Sequence, residues 1–231
     1  MNKMSRTFFS GLALAAVILL GSCGNSVKQA PEVSTTSSPQ ISPVAQNNNP
    51  SSVATSTDKI KFKQEGGTED FALKTEADGA KLVDGKDKEL ARFNVDNGGK
   101  VKIKNPTDKV LGYVVTKDGY WKIENADQTK ELYILRRQND GDYKLEDGAN
   151  KEIYRIKARD YGFEIESPDK QSLYKVKVKN GKVSLINAAE KPVFYTKSQV
   201  NPIAIASFGF DVLSKEQKAA LAYAVNRSGG K

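Results

Sequence analysis

One short pattern is written six times between Ala80 and Lys197, and a chain that repeats at so short a period has few folds open to it. The anchors are Leu82, Ile103, Ile123, Leu145, Ile165 and Leu185, at intervals of 20 to 22 residues. Two positions before each stands Ala80, Val101, Trp121, Tyr143, Phe163 or Val183, all apolar. Two positions after each stands Asp84, Asn105, Asn125, Asp147, Ser167 or Asn187. These short polar residues favour turns because their side chains bond nearby backbone. Eight or nine positions after each anchor a second apolar run opens: Leu90-Ala91, Leu111-Gly112, Leu132-Tyr133, Ile153-Tyr154, Leu173-Tyr174 and Val193-Phe194. Each unit therefore reads strand, turn, strand.

Alternation inside the units says what the strands face. Phe163 and Ile165 point one way and Glu164 and Glu166 the other, while Tyr174, Val176 and Val178 alternate with Lys175, Lys177 and Lys179. Between units come Asn97-Gly98, Asp118-Gly119, Asp140-Gly141, Tyr161-Gly162 and Asn180-Gly181, dipeptides suited to tight hairpins. The expected fold is mainly β: six hairpins, about twelve antiparallel strands in up-and-down order, closed into a barrel because closure removes the edges. Ile60, Phe62, Phe71 and Leu73 match the pattern in part, and read as an opening strand or a degenerate hairpin.

A sheet of that size leaves an interior wider than its own side chains can fill. The tail supplies a filling. Asn201 is a good N-cap, Pro202 suits the first helical position, and Ile203 to Phe210 is apolar apart from Ser207. Ser214 and Gln217 form a capping-box pattern that opens a helix over residues 215–226, with Ala219, Ala220, Leu221, Ala222, Ala224 and Val225 around it. Such a helix sits in the barrel or on one mouth or face of it.

The 231-residue chain has no histidine and one cysteine. That excludes histidine acid–base chemistry, His/Cys zinc sites and intrachain disulfides, and no cofactor, metal or specific nucleic-acid site is implied. Residues 1–23 read as a signal peptide: Lys3 and Arg6 precede an apolar run from Phe8 to Leu20 that is too short to span a bilayer. The end of that run, Leu20-Gly21-Ser22-Cys23, resembles the lipobox of bacterial lipoproteins. The resemblance implies cleavage before Cys23, acylation of its thiol and anchoring to a membrane of the cell envelope, the outer one where there is one. Gly24 stands where an aspartate would imply inner-membrane retention. Residues 24–58 hold Pro31, Pro39, Pro43 and Pro50 among Ser, Thr, Asn and Gln, with no aromatic residue, and read as a disordered tether. Residues 59–231 form the hairpin domain. The formal charge of +8 falls to +6 once Lys3 and Arg6 are removed, a balance suited to solubility and compatible with an anionic neighbour.

Repeated hairpins of the form apolar-x-apolar-x-Asp/Asn, then Leu/Ile-Tyr-x-apolar, with an Ala-rich terminal helix, resemble the tubby C-terminal superfold from Ile60 to about Arg227. That group includes phospholipid scramblases and LURP-one-related proteins. The resemblance implies a barrel around a C-terminal helix; it transfers no functional residue, because no motif matches.

Candidate sites are few. Lys81, Lys102, Lys122 and Lys144 share one position in four units, with Glu124, Glu146 and Glu166 placed to neutralise them. Lys175, Lys177, Lys179 and Lys182 have fewer acids near them in sequence, and are the preferred patch for an anionic surface. Trp121 reads as core, and Asp84, Asp87, Asp140 and Asp147 as turn residues. No carboxylate pair stands beside an evident nucleophile. The expectation is a non-enzymatic, lipid-anchored binding or structural module with an envelope partner. The alternative is a lipid-handling protein that uses the barrel interior or a basic face.

Overall fold

The computed structural model describes residues 59–231. The expected signal peptide, the lipobox with Cys23 and the tether lie outside the described residues. Fourteen strands run in chain order: β1 (Lys59–Lys63), β2 (Glu69–Glu76), β3 (Gly79–Asp84), β4 (Glu89–Val95), β5 (Val101–Lys104), β6 (Val110–Lys117) and β7 (Tyr120–Glu124). They continue as β8 (Glu131–Arg137), β9 (Tyr143–Asp147), β10 (Glu152–Arg159), β11 (Gly162–Glu166), β12 (Ser172–Lys179), β13 (Lys182–Asn187) and β14 (Pro192–Thr196). Each pairs antiparallel with the next, and β1 meets β14 to close the barrel. The count exceeds the expected twelve by one hairpin. Ile60 to Leu73 forms a full unit, because Phe62 and Phe71 pair in register just as the anchors of later units do.

The repeat works through its turns. Asp84 Oδ1 accepts the amides of Lys86 and Lys88, each at 2.9 Å, and Asn105 Oδ1 those of Thr107 and Lys109 at 3.0 and 2.9 Å. Asp147 and Asn187 do the same, Asn125 serves Thr129 and Lys130, and the Ser167 hydroxyl accepts from Gln171. One side chain thus satisfies two turn amides at most units, which is why a short acceptor recurs there. The third residue on from each, namely Asp87, Asp108, Gln128, Asn150, Lys170 and Glu190, takes a positive φ of 57 to 66°. A register shift follows the apolar anchor at this turn, as between Leu82 and Val83 or Ile103 and Lys104. Such bulges increase local twist, and one per hairpin curls the sheet towards closure. Of the dipeptides between units, Asn180-Gly181 has positive φ at both residues, 52° and 70°, as a primed turn requires. At Asn97-Gly98 the left-handed residue is instead Gly99, and Asp96 caps the turn.

The tail goes inside. Asn201 Oδ1 caps Ile203 N–H at 3.2 Å, with Pro202 opening helix α1 (Pro202–Ala206), and a 3₁₀ turn, Ser207–Gly209, follows. Helix α2 (Lys215–Arg227) opens on the reciprocal Ser214/Gln217 capping box and runs one residue beyond the expected end. Ala219, Ala220, Leu221 and Ala222 are consecutive, so they cover a full turn, and all four are buried. No side of the helix faces water there, which places α2 within the barrel and not across its mouth. It packs on β3 to β7, and α1 on β11 to β13. Three hydrogen bonds moor the chain end: Trp121 Nε1 donates to Ser228 Oγ at 3.1 Å, Tyr143 OH to Gly230 O at 2.9 Å, and Asn201 N–H to Asn226 Oδ1 at 2.7 Å. One expected inward residue is not inward: Val178, near the rim at the end of β12, is 43% exposed.

Closure is uneven. β1 and β14 share one register pair, Lys63 with Tyr195, whereas the neighbouring strands β1 and β2 share five. Behind this thin seam Phe62, Phe71, Phe194 and Phe208 contact one another, with centroids 4.4 to 5.4 Å apart. Aromatic burial from β1, β2, β14 and the 3₁₀ turn therefore holds the seam that few backbone bonds hold. Phe208→Ala is expected to cost about 3–5 kcal/mol in denaturant unfolding, with amide exchange accelerating first in β1 and β14. The neighbouring Ser207 hydroxyl is buried without a hydrogen-bond partner among the described residues. Ser207→Ala is expected to raise stability by about 1 kcal/mol, read as an upward shift of the melting temperature.

Candidate functional site

The outer wall alternates charge along and across strands, so most of its lysines meet acids. Of the repeated column, Lys81 bridges Glu76 at 2.7 Å, Lys122 bridges Glu131, and Lys144 bridges Glu152 at 3.4 Å. Lys102 instead lies 5.9 Å from the centroid of the Tyr113 ring. Three of the four lysines of the column meet acids, but not the expected ones: Glu146 and Glu166 pair with Arg136 and Arg159 at 3.2 and 3.0 Å. Partners come from the adjacent strand because antiparallel register, not spacing within a strand, decides which charges meet.

The preferred lysine patch divides. Glu190, in the β13–β14 turn, reaches Lys175 at 2.5 Å and Lys177 at 3.0 Å. It lies 15 and 13 residues from them in sequence, and the β12–β13 pairing brings it across. The two lysine ammoniums hold the Glu190 carboxyl below its ordinary range. Lys179 and Lys182 face each other in register, and no carboxylate lies within 4.0 Å of either among the described residues.

Trp121 is fully buried in the wall, as read from its column. The aspartates serve turns: Asp84 and Asp147 accept backbone amides, and Asp140 Oδ1 accepts from Asp142 N–H at 3.1 Å. Asp87 accepts from Lys59 and Lys74 at 2.9 Å each; hydrogen bonds from Lys74 and Lys59 pull its carboxyl down to about 2. Among the described residues, no group of three or more acids is placed to hold a metal ion.

Sequence reasoning missed Asp142, one of four buried polar residues among those described. Burial pushes its carboxyl up, yet the Lys157 ammonium at 2.6 Å and the Ala158 amide at 2.8 Å outweigh that and leave it below the ordinary 3.8. A carboxyl depressed in the fold contributes stability above its ordinary value, and loses that contribution as pH falls through the folded value. Asp142→Asn is therefore expected to lower the melting temperature at neutral pH, with the gap to the parent chain narrowing as pH drops below 3.8.

Beside Phe62, Leu73, Ala204, Ile205, Ala222 and Tyr223 the remaining space is about 10 Å³. That is at the threshold for one water molecule.

No protein-family model matches the chain, and no curated protein matches it. Among solved structures, an X-ray structure of a protein from Arabidopsis thaliana is similar at 14% identity, over 66% of this chain and 88% of that one, with a TM-score of 0.37.

Proposed function

We propose that the chain is a lipid-anchored, non-enzymatic binding or structural module of the cell envelope, built as a tubby-like barrel and tethered through Cys23. The observation that carries this reading is the filled interior. An acyl chain or other small ligand needs several hundred Å³ of concave, mostly apolar space, whereas the pocket where the tail meets Ile60, Phe62 and Leu73 holds about 10 Å³ and the space beside Val101, Thr116 and Ala224 at the α2 end about 280 Å³. The barrel's contribution is thus its outer wall, held rigid by a core that runs through the wall and the plug. The rival lipid-handling reading would require α1 and α2 to leave the barrel. Their departure would expose Ile203, Phe208, Phe210, Leu221 and Val225, all buried now.

Two acyl chains, at about 0.8 kcal/mol per buried methylene, hold a protein firmly on a bilayer, and a tether of proline and small polar residues lets the barrel stand off it. Cys23→Ala is expected to move the protein from the membrane pellet to the soluble fraction, with an unchanged melting temperature. Retention of the variant in the pellet through a carbonate wash would sink the anchor.

A further inference from the structure

Up-and-down order sets the six self-capping turns on one rim of the barrel, and that rim carries a repeat the wall does not use. In five of the six units the turn runs out as Lys-x-apolar: Lys88, Lys109, Lys130, Lys151 and Lys191 each stand two residues before Leu90, Leu111, Leu132, Ile153 or Val193. All five lysines are exposed, and none has a carboxylate within 4.0 Å among the described residues. The acids beside them are engaged elsewhere. Glu89 turns to Arg92 at 2.9 Å, Glu131 to Lys122, and Glu152 to Arg155 at 2.8 Å. Asp108 meets Arg92 at 3.0 Å, Glu190 meets Lys175 and Lys177, and the carboxyls of Asp84 and Asp147 face turn amides. Asp127 and Asp169 stay at the rim without a cation, too few to balance five lysines.

Next to this ring of cations lies an apolar one. Leu90, Leu111, Leu132, Ile153 and Leu173 are half-buried at the bulges and pack against the core, and Val193 is 40% exposed. Val212, 39% exposed, belongs to the link between the 3₁₀ turn and α2, and is tied to the rim by Tyr133 OH, which donates to Val212 O at 3.3 Å. The two rings meet in a notch of about 390 Å³ lined by Lys130, Leu132, Tyr133, Asp147, Gly148 and Ala149. Backbone fixes its geometry. Gly148 N–H donates to Leu132 O at 3.0 Å, and a Cβ at Gly148 would lie 2.0 Å from Glu131 O, so only glycine lets the two turns approach.

Exposed cations without counter-charge favour a partner of opposite sign. The placement of the apolar residues narrows that partner. They are half-buried between charged turns, so a flat bilayer meets the turns first, whereas a single protruding side chain reaches the notch. A second copy of the chain would set one lysine ring against another. The segment before β1 is unsuited as well, because residues 24–58 hold Lys28, Glu32 and Asp58 as their only charges. We propose that this rim docks an acidic amphipathic segment of a partner protein. An aliphatic or aromatic side chain of the partner seats in the notch on Leu132 and Tyr133, and carboxylates on its flanks pair with Lys109, Lys130 and Lys151. The proposal rests on reading the barrel as a binding module, and names the kind of partner that module takes.

The test titrates the Cys23→Ala full chain into a fluorescein-labelled, helix-forming peptide of about 15 residues, with leucine and phenylalanine on one face and glutamate on both flanks. A saturable rise in anisotropy is expected, weakening with added salt, with amide shifts gathered around Leu132, Gly148 and Val212. Lys109→Gln/Lys130→Gln/Lys151→Gln should bind the peptide about tenfold more weakly. Ala149→Tyr, which fills the notch at an exposed position without changing charge, should weaken binding by at least as much. Lys117→Gln/Lys179→Gln/Lys182→Gln removes the same charge at the opposite rim and should bind as the parent does, and melting temperatures report that every variant folds. Equal loss in the two triple variants, unaltered binding by Ala149→Tyr, equal binding of a peptide with alanine for its leucine and phenylalanine, or no saturable response overturns the docking site. Cosedimentation with phosphatidylcholine–phosphatidylglycerol vesicles that depends on Lys109, Lys130 and Lys151, without peptide binding, assigns the rim to a bilayer and overturns it too. Fractionation of Cys23→Ala tests the anchor separately, so one reading can fail while the other stands.

Discussion

The structure depends on filling a lumen that its own wall cannot fill. Eight strands bring facing side chains into contact across a barrel, and barrels of sixteen or more hold water; fourteen strands fall between. Inward residues here are mostly of middling size, such as Leu82, Ile103, Ile123 and Leu145, and they need something between them. The tail provides it. Small alanines let α2 approach β3 to β7 closely, while Ile203, Ile205, Phe208 and Phe210 occupy the rest of the space. Removing this apolar surface from water is the largest favourable contribution in the domain.

The same filling explains why a thin seam suffices. Backbone pairing between β1 and β14 is limited to Lys63 and Tyr195. The phenylalanine cluster spans the junction from the inside and includes Phe208 from the plug, so wall closure and tail burial draw on the same contacts. In up-and-down order most strand contacts are local, which favours early hairpins. The seam joins the two ends of the wall and is the least local contact in it. Incomplete pairing there also leaves an exterior groove lined by Lys59, Lys61, Lys63, Tyr195 and Lys197.

Much of the fold was legible because the repeat exposes both of its physical requirements. An apolar residue at every second position announces a wall with a dry and a wet face, and Asp84, Asn105 or Asn187 two positions later announces a turn that caps its own amides. The Asn201 cap, Pro202 and the Ser214/Gln217 box could be read for the same reason, since they act within a few residues. The first hairpin was harder to read. It has Gly66 and Gly67 at its turn in place of the Asx acceptor, and only register shows that it completes the ring. The pairing of Lys175 and Lys177 with Glu190 was hidden for a related reason: Glu190 is remote from Lys175 in the chain and adjacent to it on the surface.

What the sequence by itself determined is every feature that acts over short range: strand alternation, turn chemistry, helix caps and the surplus of apolar tail. Tertiary structure alone decided the number of strands in the ring, the burial of α2 within it, the partners of each surface charge, and the meeting of Lys63, Tyr195 and Lys197 at one seam. The physical reason is that local hydrogen bonds and side-chain periodicity are written within a few residues. Cross-strand charge partners, such as Glu190 and Lys175, and closure, which joins Lys63 to Tyr195, are set by packing across the sheet, and no local pattern encodes that.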